Sequence, residues 1–428
     1  MAETIFAPIT GRGGAVTVVR LSGADALPHA GALCGGLPAA RRVSLRPLRD
    51  AAGVVLDHAL VTVFAAPDSF TGEDCVELSL HGGRAVLAAV SEALVAQGCR
   101  PAEPGEFSRR AFGNGKLDLL QAEAIADLIA AETEAQRRLA INGADALQTA
   151  CEAWREALRL IIAQQEALID FPDEDLPAQV EQNLIAEIKK LHAEMQAALT
   201  IAPAAQRLRD GLEFVIIGAP NAGKSTLLNT LAGADIAIVS ELPGTTRDAI
   251  GIKLDLAGIP VHITDTAGLR DTSDPIETAG INRARAHAAN ADLIIALAAA
   301  PGAVFPQAPE GVEVLQVVTK LDLLPAHPPN TTAISAQTGA GMPAFLQQLT
   351  ATATRLTDTR GGAVLARPRQ TACVQEAATA LQTALVATES ELRGEDLRTA
   401  ATALGRLTGV IGVEEILDAV FGSFCIGK

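Results

Sequence analysis

The chain contains no tyrosine and a single tryptophan among 428 residues, so any aromatic platform for a nucleobase falls to Phe, His or Arg. Its six cysteines, Cys34, Cys75, Cys99, Cys151, Cys373 and Cys425, are scattered without a CxxC pair, and its seven histidines do not cluster. Neither a disulfide framework nor a zinc site is indicated. No apolar run approaches the ~20 residues that span a bilayer, and "MAETIFAPIT" lacks the basic and apolar regions of a signal peptide. A cytoplasmic, thiol-reducing setting without membrane partners is expected. Positive charge is in deficit as well: 34 Lys and Arg against 50 Asp and Glu give a net charge of −16. That balance argues against nonspecific nucleic-acid binding through overall charge, although local basic surface can still contact phosphates.

What is present describes a chain with ample core, 49% hydrophobic and 20% charged, and its length suggests roughly two to three domains. Residues 1–116 carry β-branched runs, "AVTVVRLSG" and "HALVTVFAAPDSFTGEDCVELSLHGG", with one helical pattern over 84–98. They read as an α+β domain. From 117 to 207 the texture turns to Ala, Leu, Glu and Gln at the i, i+3, i+4, i+7 spacing of amphipathic bundle helices, interrupted by the acidic, proline-marked "DFPDEDLP". Residues 208–360 alternate strand and helix signals, as a parallel α/β sheet does. Helical texture returns over 361–428. The fold class expected is therefore multidomain: an α+β N-terminal domain, and a helical bundle split into two segments by an inserted α/β domain.

The strongest local signal is "EFVIIGAPNAGKST" (213–226), an apolar strand leading into the pattern Gly218-x-x-x-x-Gly223-Lys224-Ser225 and then a helix. Backbone N–H groups of Asn221, Ala222, Gly223, Lys224, Ser225 and Thr226 would turn toward phosphate at the helix N-terminus. Lys224 would reach the β/γ oxygens and the Ser225 hydroxyl would ligate Mg²⁺. "DTAG" (Asp265, Thr266, Ala267, Gly268) follows a strand, with Asp265 toward Mg²⁺ through water and the Gly268 N–H toward the γ-phosphate. "TKLD" (Thr319, Lys320, Leu321, Asp322) stands where a guanine-reading NKxD belongs. The Asp322 carboxylate can accept from guanine N1 and N2, a pairing adenine cannot offer. "SAQTG", with Ser335 and Ala336, supplies a further base loop. GTP and GDP are the nucleotides expected of a Ras-like P-loop fold. Thr319 in place of the usual Asn is expected to lose or alter one hydrogen bond that buttresses the base loop.

Hydrolysis needs a water-orienting group and a cation. Leu269, just after "DTAG", cannot orient water as a Gln there would, and no arginine finger is evident. Asn221 and Glu277 are the candidate substitutes. Glu277 also fits as the N3 residue of a capping box in "DPIE", and Asn221 as a turn-former.

Together "APNAGKST", "GTTRD" (244–248) and "DTAGLR" resemble the potassium-activated, TrmE-Era-EngA-like GTPases. "GRGGAVTVVRLSG", "SFTGEDCVELSLHGG", "PGEFSRRAFGNGKLDLLQAEAIADLI" and the closing "FCIGK" are similar to the MnmE (TrmE) family of tRNA modification GTPases. The resemblance implies that residues 1–116 bind a tetrahydrofolate derivative (5-formyl- or methylene-tetrahydrofolate) and dimerise, with the G domains of the homodimer facing each other. It implies tRNA as substrate and an FAD-containing partner, MnmG (GidA), in placing an aminomethyl-type group on C5 of the wobble uridine. By position, K⁺ would be held by Asn221, Thr245 and the Ser240 and Leu242 carbonyls. Mg²⁺ would be held by Ser225 and Thr246, while Glu277 would orient water. Arg20, Glu77, Lys116 and Lys428 fall where the family contacts folate. The rival reading is a regulatory GTPase switch of the ribosome-assembly type.

The closing "SFCIGK" leaves Cys425 with three readings: an inert buried thiol, a lipidation signal, or a reactive group. Its spacing from the last residue matches a prenylation box, but Lys428 is a poor last residue and the preceding segment is not polybasic. The resemblance implies the third, with Phe424 docking the segment and Cys425 facing the uridine.

Overall fold

A computed structural model describes residues 3–11, 13–170, 178–238, 251–265, 288–325, 331–360, 363–410, 414–422 and 424–427. The chain divides into two compact units, one of residues 1–126 with 405–428, the other of residues 127–404.

In the first unit, β1 (Ile5–Pro8), β2 (Val16–Ser22), β3 (Val43–Arg49), β4 (Val55–Phe64), β5 (Cys75–His81) and β6 (Arg100–Pro101) form one sheet in the order β3-β4-β5-β2-β1-β6. Alternation along β4 and β5 sends Ala59, Val61, Val63, Val76, Leu78 and Leu80 to one face, where α1 (Ala26–Cys34) and α2 (Arg84–Ala96) add Ala26, Ala30, Leu33, Val90 and Leu94 to the core. The other face carries Leu60, Ser79, Glu77 and Arg20. Two helices here lie outside the single helical pattern expected over 84–98. Pro28 and Gly31 make α1 read as a turn, yet the Pro lies in the first turn, where its missing N–H costs nothing, and burial on the sheet decides the outcome. Likewise α3 (Glu106–Gly113) is short and bounded by Gly105 and Asn114, but Phe107 and Ala111 are fully buried.

Next comes α4 (Leu119–Ala130), opened by a reciprocal pair in which Asp118 N–H donates to Gln121 Oε1 and Gln121 N–H to Asp118 Oδ1. Its Leu119, Ala122 and Ala126 pack with Val420, Phe421 and Phe424. Residues 414–422 form a helix that brings Leu417, Val420 and Phe421 into this cluster.

In the second unit, α5 (Glu134–Arg138), a π turn (Leu139–Gly143), α6 (Ala144–Asp170) and α7 (Ala178–Asp210) precede the α/β fold. α7 packs against α6 and the helix Pro368–Val386 through a stripe of Leu184, Ile188, Leu191, Met195 and Ala198. β7 (Leu212–Gly218), α8 (Lys224–Ala232), β8 (Gly251–Leu256), β9 (Ile259–Asp265), β10 (Leu293–Ala299), β11 (Val314–Thr319) and β12 (Thr332–Ala333) follow. Their sheet runs β12-β11-β10-β7-β9-β8, parallel except for the β8–β9 hairpin. Asp127 accepts from Arg209 Nε at 2.8 Å and from an Arg367 terminal nitrogen at 2.6 Å. It thereby joins the chain just before β7 to the chain after the α/β fold. The "DFPDEDLP" turn falls almost wholly outside the described residues.

Two carboxylates of the first unit sit below their ordinary pKa. Burial alone would raise Glu106, but the Arg100 guanidinium, the Glu103 N–H and Arg110 outweigh it. Burial would raise Asp57 too, and there the N–H groups of His81 and His58 with the His81 ring prevail. A depressed carboxylate stabilises the fold above its unfolded pKa, and that stability is lost as pH falls through the folded value. Amide exchange in β5 and α3 is therefore expected to accelerate as pH drops below about 4 relative to intrinsic rates. The double variant Asp57→Asn, Glu106→Gln is expected to flatten that dependence.

Candidate functional site

β7 delivers the chain at its C-terminal end into the glycine loop, and α8 begins at Lys224. The loop turns through two left-handed residues, Asn221 at φ 64° and Gly223 at φ 90°. The Lys224 side chain is buried, and its ammonium donates to the Gly218 and Ala219 carbonyls at 3.0 and 3.1 Å. A cation is thus held across the mouth of a loop whose backbone N–H groups open a helix, an arrangement suited to polyphosphate. Ser225 and Thr226 follow on the first turn of α8, exposed. Asp265, buried, ends β9 in parallel register with Ile216. The Ser225 hydroxyl and the Asp265 carboxylate are hard oxygen donors, a set that fits Mg²⁺. Among the described residues, no group of three His, Cys, Asp or Glu side chains is arranged to hold a metal by itself.

The base loops close on the phosphate loop from the far side of β10. Thr319, 5% exposed, ends β11 and donates its hydroxyl to the Ala222 carbonyl at 2.7 Å. The Thr319 side chain thus supplies one hydrogen bond between the base loop and the phosphate loop. Lys320 takes a left-handed conformation at φ 59°, and Asp322 is exposed in the 3-10 turn Leu321–Leu323. The Leu321 N–H donates to the Ile334 carbonyl at 3.0 Å, joining "TKLD" to "SAQTG". Ser335 is fully buried and its Oγ accepts from the Thr338 N–H at 3.2 Å, while Thr230 of α8 donates to the Ala336 carbonyl at 3.2 Å. Phosphate loop, α8 and both base loops thus form one hydrogen-bonded assembly. Ser240, Leu242, Thr245, Thr246, Thr266, Ala267, Gly268 and Glu277 lie outside the described residues.

In the first unit, Arg20 and Glu77 face each other across β2 and β5, joined from Arg20 Nε and a terminal nitrogen at 3.0 and 2.8 Å. The Arg20 guanidinium lies 4.7 Å from the Phe70 ring centroid and 5.6 Å from that of Phe107. These two rings, at the "SFTG" and "PGEF" motifs, escape a reading that looks only for charges. Lys116 is exposed and runs its side chain past Gly72, two residues beyond Phe70. Arg20 and Lys116 therefore both approach the segment 70–72 that leads into β5, the strand of Glu77. Lys428 lies outside the described residues. Cys425 is exposed, whereas Cys34, Cys75, Cys99, Cys151 and Cys373 are buried, which removes the reading of Cys425 as an inert core thiol. Phe424 is buried against Phe421, ring centroids 5.4 Å apart and edge-on at 74°.

Family profiles described as "GTP-binding protein TrmE N-terminus" and "MnmE helical domain" match residues 4–116 and 119–425. The chain is 55% identical to the tRNA modification GTPase MnmE of Acidiphilium cryptum, over 100% of this chain and 99% of that one. It is 52% identical to the protein of the same name from Gluconacetobacter diazotrophicus, over 99% of this chain and 98% of that one. Among solved structures, the G domain of the T. maritima FeoB iron transporter is 19% identical, covering 34% of this chain and 99% of its own, with a TM-score of 0.25. That score is too low to carry an argument.

Thr319→Val keeps shape and removes the hydroxyl, leaving the buried Ala222 carbonyl without its donor. A loss of about 1 kcal/mol, roughly five-fold in affinity for GDP, is expected. Titration with a fluorescent GDP measures it, and unchanged affinity would show that the two loops are coupled by other means.

Proposed function

The chain belongs to the MnmE family of tRNA modification GTPases, and on that premise we propose that it couples GTP hydrolysis to folate-dependent modification of tRNA. The product is an aminomethyl-type (carboxymethylaminomethyl) group on C5 of the wobble uridine. The reaction draws on a tetrahydrofolate one-carbon unit and an FAD-containing partner, MnmG (GidA), in the cytoplasm. The working form is a homodimer joined through residues 1–116 with its G domains, residues 208–360, facing each other. The helical domain is built from residues 117–207 and 361–428. The observation that carries this reading is the pairing, in one chain, of the phosphate loop with a second polar site around Arg20 and Glu77, and an exposed Cys425. A GTPase switch that only recognises partners has no need of the second site or of the thiol.

In the nucleotide site, Lys224 exchanges the Gly218 and Ala219 carbonyls for phosphate oxygens, and Asp322 with the Ala336 N–H selects guanine. Ser225 and Thr246, with Asp265, would hold Mg²⁺, and Asn221, Thr245 and the carbonyls of Ser240 and Leu242 would hold K⁺. Bound there, the two ions would supply positive charge against the charge that develops on the transferred phosphoryl group. Glu277 orients the attacking water, the task that Leu269 cannot perform. In the folate site, the Arg20 guanidinium and the Lys116 and Lys428 ammonium groups suit the carboxylates of a pteroyl-glutamate tail, and the Glu77 carboxylate suits pterin N–H donors.

Turnover of GTP is expected to be at least about ten-fold faster in KCl than in NaCl at equal ionic strength. Asn221→Ala should abolish that preference, and equal rates for the wild type in both salts would refute the K⁺ assignment. For the modification itself, nucleoside analysis of tRNA from cells lacking the protein should show loss of a modified wobble uridine. Wild type should restore it and Cys425→Ser should not; an unchanged nucleoside profile in the deletion strain would favour the switch.

A further inference from the structure

Residues 424–427 lie against the first unit along their whole length, and side-chain burial accounts for only the first of them. Phe424 is 6% exposed and its N–H donates to the Phe421 carbonyl at 3.0 Å. Ile426, by contrast, is 59% exposed, so its apolar surface does not hold the segment. Backbone fit does. Ile426 makes an antiparallel bridge with Pro104, and the Gly105 N–H points to the Cys425 carbonyl at 3.4 Å. Gly427 then passes directly over β1. A Cβ on Gly427 would fall 2.2 Å from the Pro8 carbonyl oxygen and 3.3 Å from the Ile9 Cα, and its φ of 100° is one that L side chains rarely adopt. Gly105 meets the same constraint from the opposite side, with φ 69° and a Cβ position 2.3 Å from the Phe421 carbonyl oxygen. Cys425 therefore sits between a phenylalanine anchor one residue before it and a glycine contact two residues after it.

We propose that Gly427, seated on the Pro8 carbonyl, is a positioning residue that fixes the Cys425 thiol relative to the Arg20–Glu77 site. This deepens the proposed role of Cys425 and rests on it for one of its two tests. The place of contact is specific. Pro8 is the β1 neighbour of Ala7, the residue that pairs with Arg20 across β1 and β2. Gly105, at the other contact, opens the helix whose Phe107 lies against the Arg20 guanidinium. Both contacts thus refer the segment to the elements that hold Arg20. Two residues of extended chain span about 7 Å at most, so a shift at Gly427 reaches the thiol little diminished. A side chain at 427 has no room without such a shift, since the obstructing atoms are backbone.

The two readouts are tail mobility and modification rate, each on the full-length protein. Because the other five cysteines are buried, a nitroxide reagent under native conditions labels Cys425. Its spectrum is expected to be motionally restricted in the wild type and mobile in Gly427→Ala. A chain ending at Ile426 removes the contact without adding a clash and should give the same mobile spectrum. In unlabelled protein with tRNA, the folate donor and the flavoprotein partner, Gly427→Ala should lower kcat for modification about 10- to 100-fold. GTP turnover and KM for tRNA should stay at wild-type values. A restricted spectrum in both variants, or a wild-type modification rate in Gly427→Ala, overturns the proposal. The two readings fail separately: if Cys425→Ser modifies tRNA normally, the chemical role of Cys425 is lost. The spectra then still decide whether Gly427 holds the segment.

Discussion

One carboxylate ties the second unit together. Asp127 is 17% exposed and binds two guanidiniums, Arg209 at 27% and Arg367 at 12%. Arg209 lies just before the chain enters β7, and Arg367 lies where it returns to helix after the α/β fold. An inserted domain needs its two crossings side by side, and here they share a ligand. Removing water from three charges is costly, and the compensation is geometric: each guanidinium finds an oxygen within hydrogen-bonding range. The neighbouring contacts repeat the theme. Arg207 Nε donates to Asp292 at the head of β10, and Gln136 Nε2 donates to the Arg209 carbonyl.

The β8–β9 hairpin extends this attachment toward the nucleotide loops. Its turn residue Gly258 accepts at its carbonyl from the Ala135 N–H of α5 at 3.1 Å, and Lys253 meets both oxygens of Glu132 at 2.8 Å. The hairpin spans residues 251–265, and its last residue is Asp265 of "DTAG". One strand continues from the "GTTRD" segment and the other runs into the "DTAG" segment, so both are covalently joined to a hairpin whose turn rests on a helical element. On the opposite side of the sheet, Thr319 and Thr230 bind the phosphate loop and α8 to the base loops. Within the described residues, then, one side of the α/β fold is hydrogen-bonded to the phosphate loop and α8, and the other to helix.

The sequence was most legible where backbone conformation dictates residue type. A strand, a glycine loop and a lysine-led helix could be placed from "EFVIIGAPNAGKST" because phosphate binding by backbone amides admits few alternatives. The alternating runs of β4 and β5 and the amphipathic spacing of α6 and α7 were equally plain. Shorter elements were less plain: α1, which contains Pro28 and Gly31, and α3, only eight residues long, were not separated from the strands and turns around the one expected helix over 84–98. The bonding of Thr319 is likewise set by tertiary placement. Substituting Thr for Asn suggests a shorter reach, but β11 brings Thr319 Oγ1 close enough to Ala222, and register is not visible in a motif. The rings of Phe70 and Phe107 below Arg20 come from two segments far apart in the chain, and nothing local joins them.

Cysteine placement sets the exposed Cys425 apart from five buried thiols. Burial pushes the Cys34 thiol up to about 11, against an opposing pull from Arg46, and pushes Cys99 up to about 11 with help from Asp25. A thiol in such surroundings stays protonated at neutral pH and is a poor nucleophile. Burial would fix a side chain in place, but it would also silence it. Cys425 has to satisfy a different pair of requirements if it is to act: defined position and access to solvent. The structure separates the two. Position comes from Phe424, buried one residue earlier, and from main-chain contacts at Ile426 and Gly427, so no apolar surface has to close over residue 425 itself. Glycine is the residue type this solution requires at 427, because only a chain without a Cβ can approach the Pro8 carbonyl so closely.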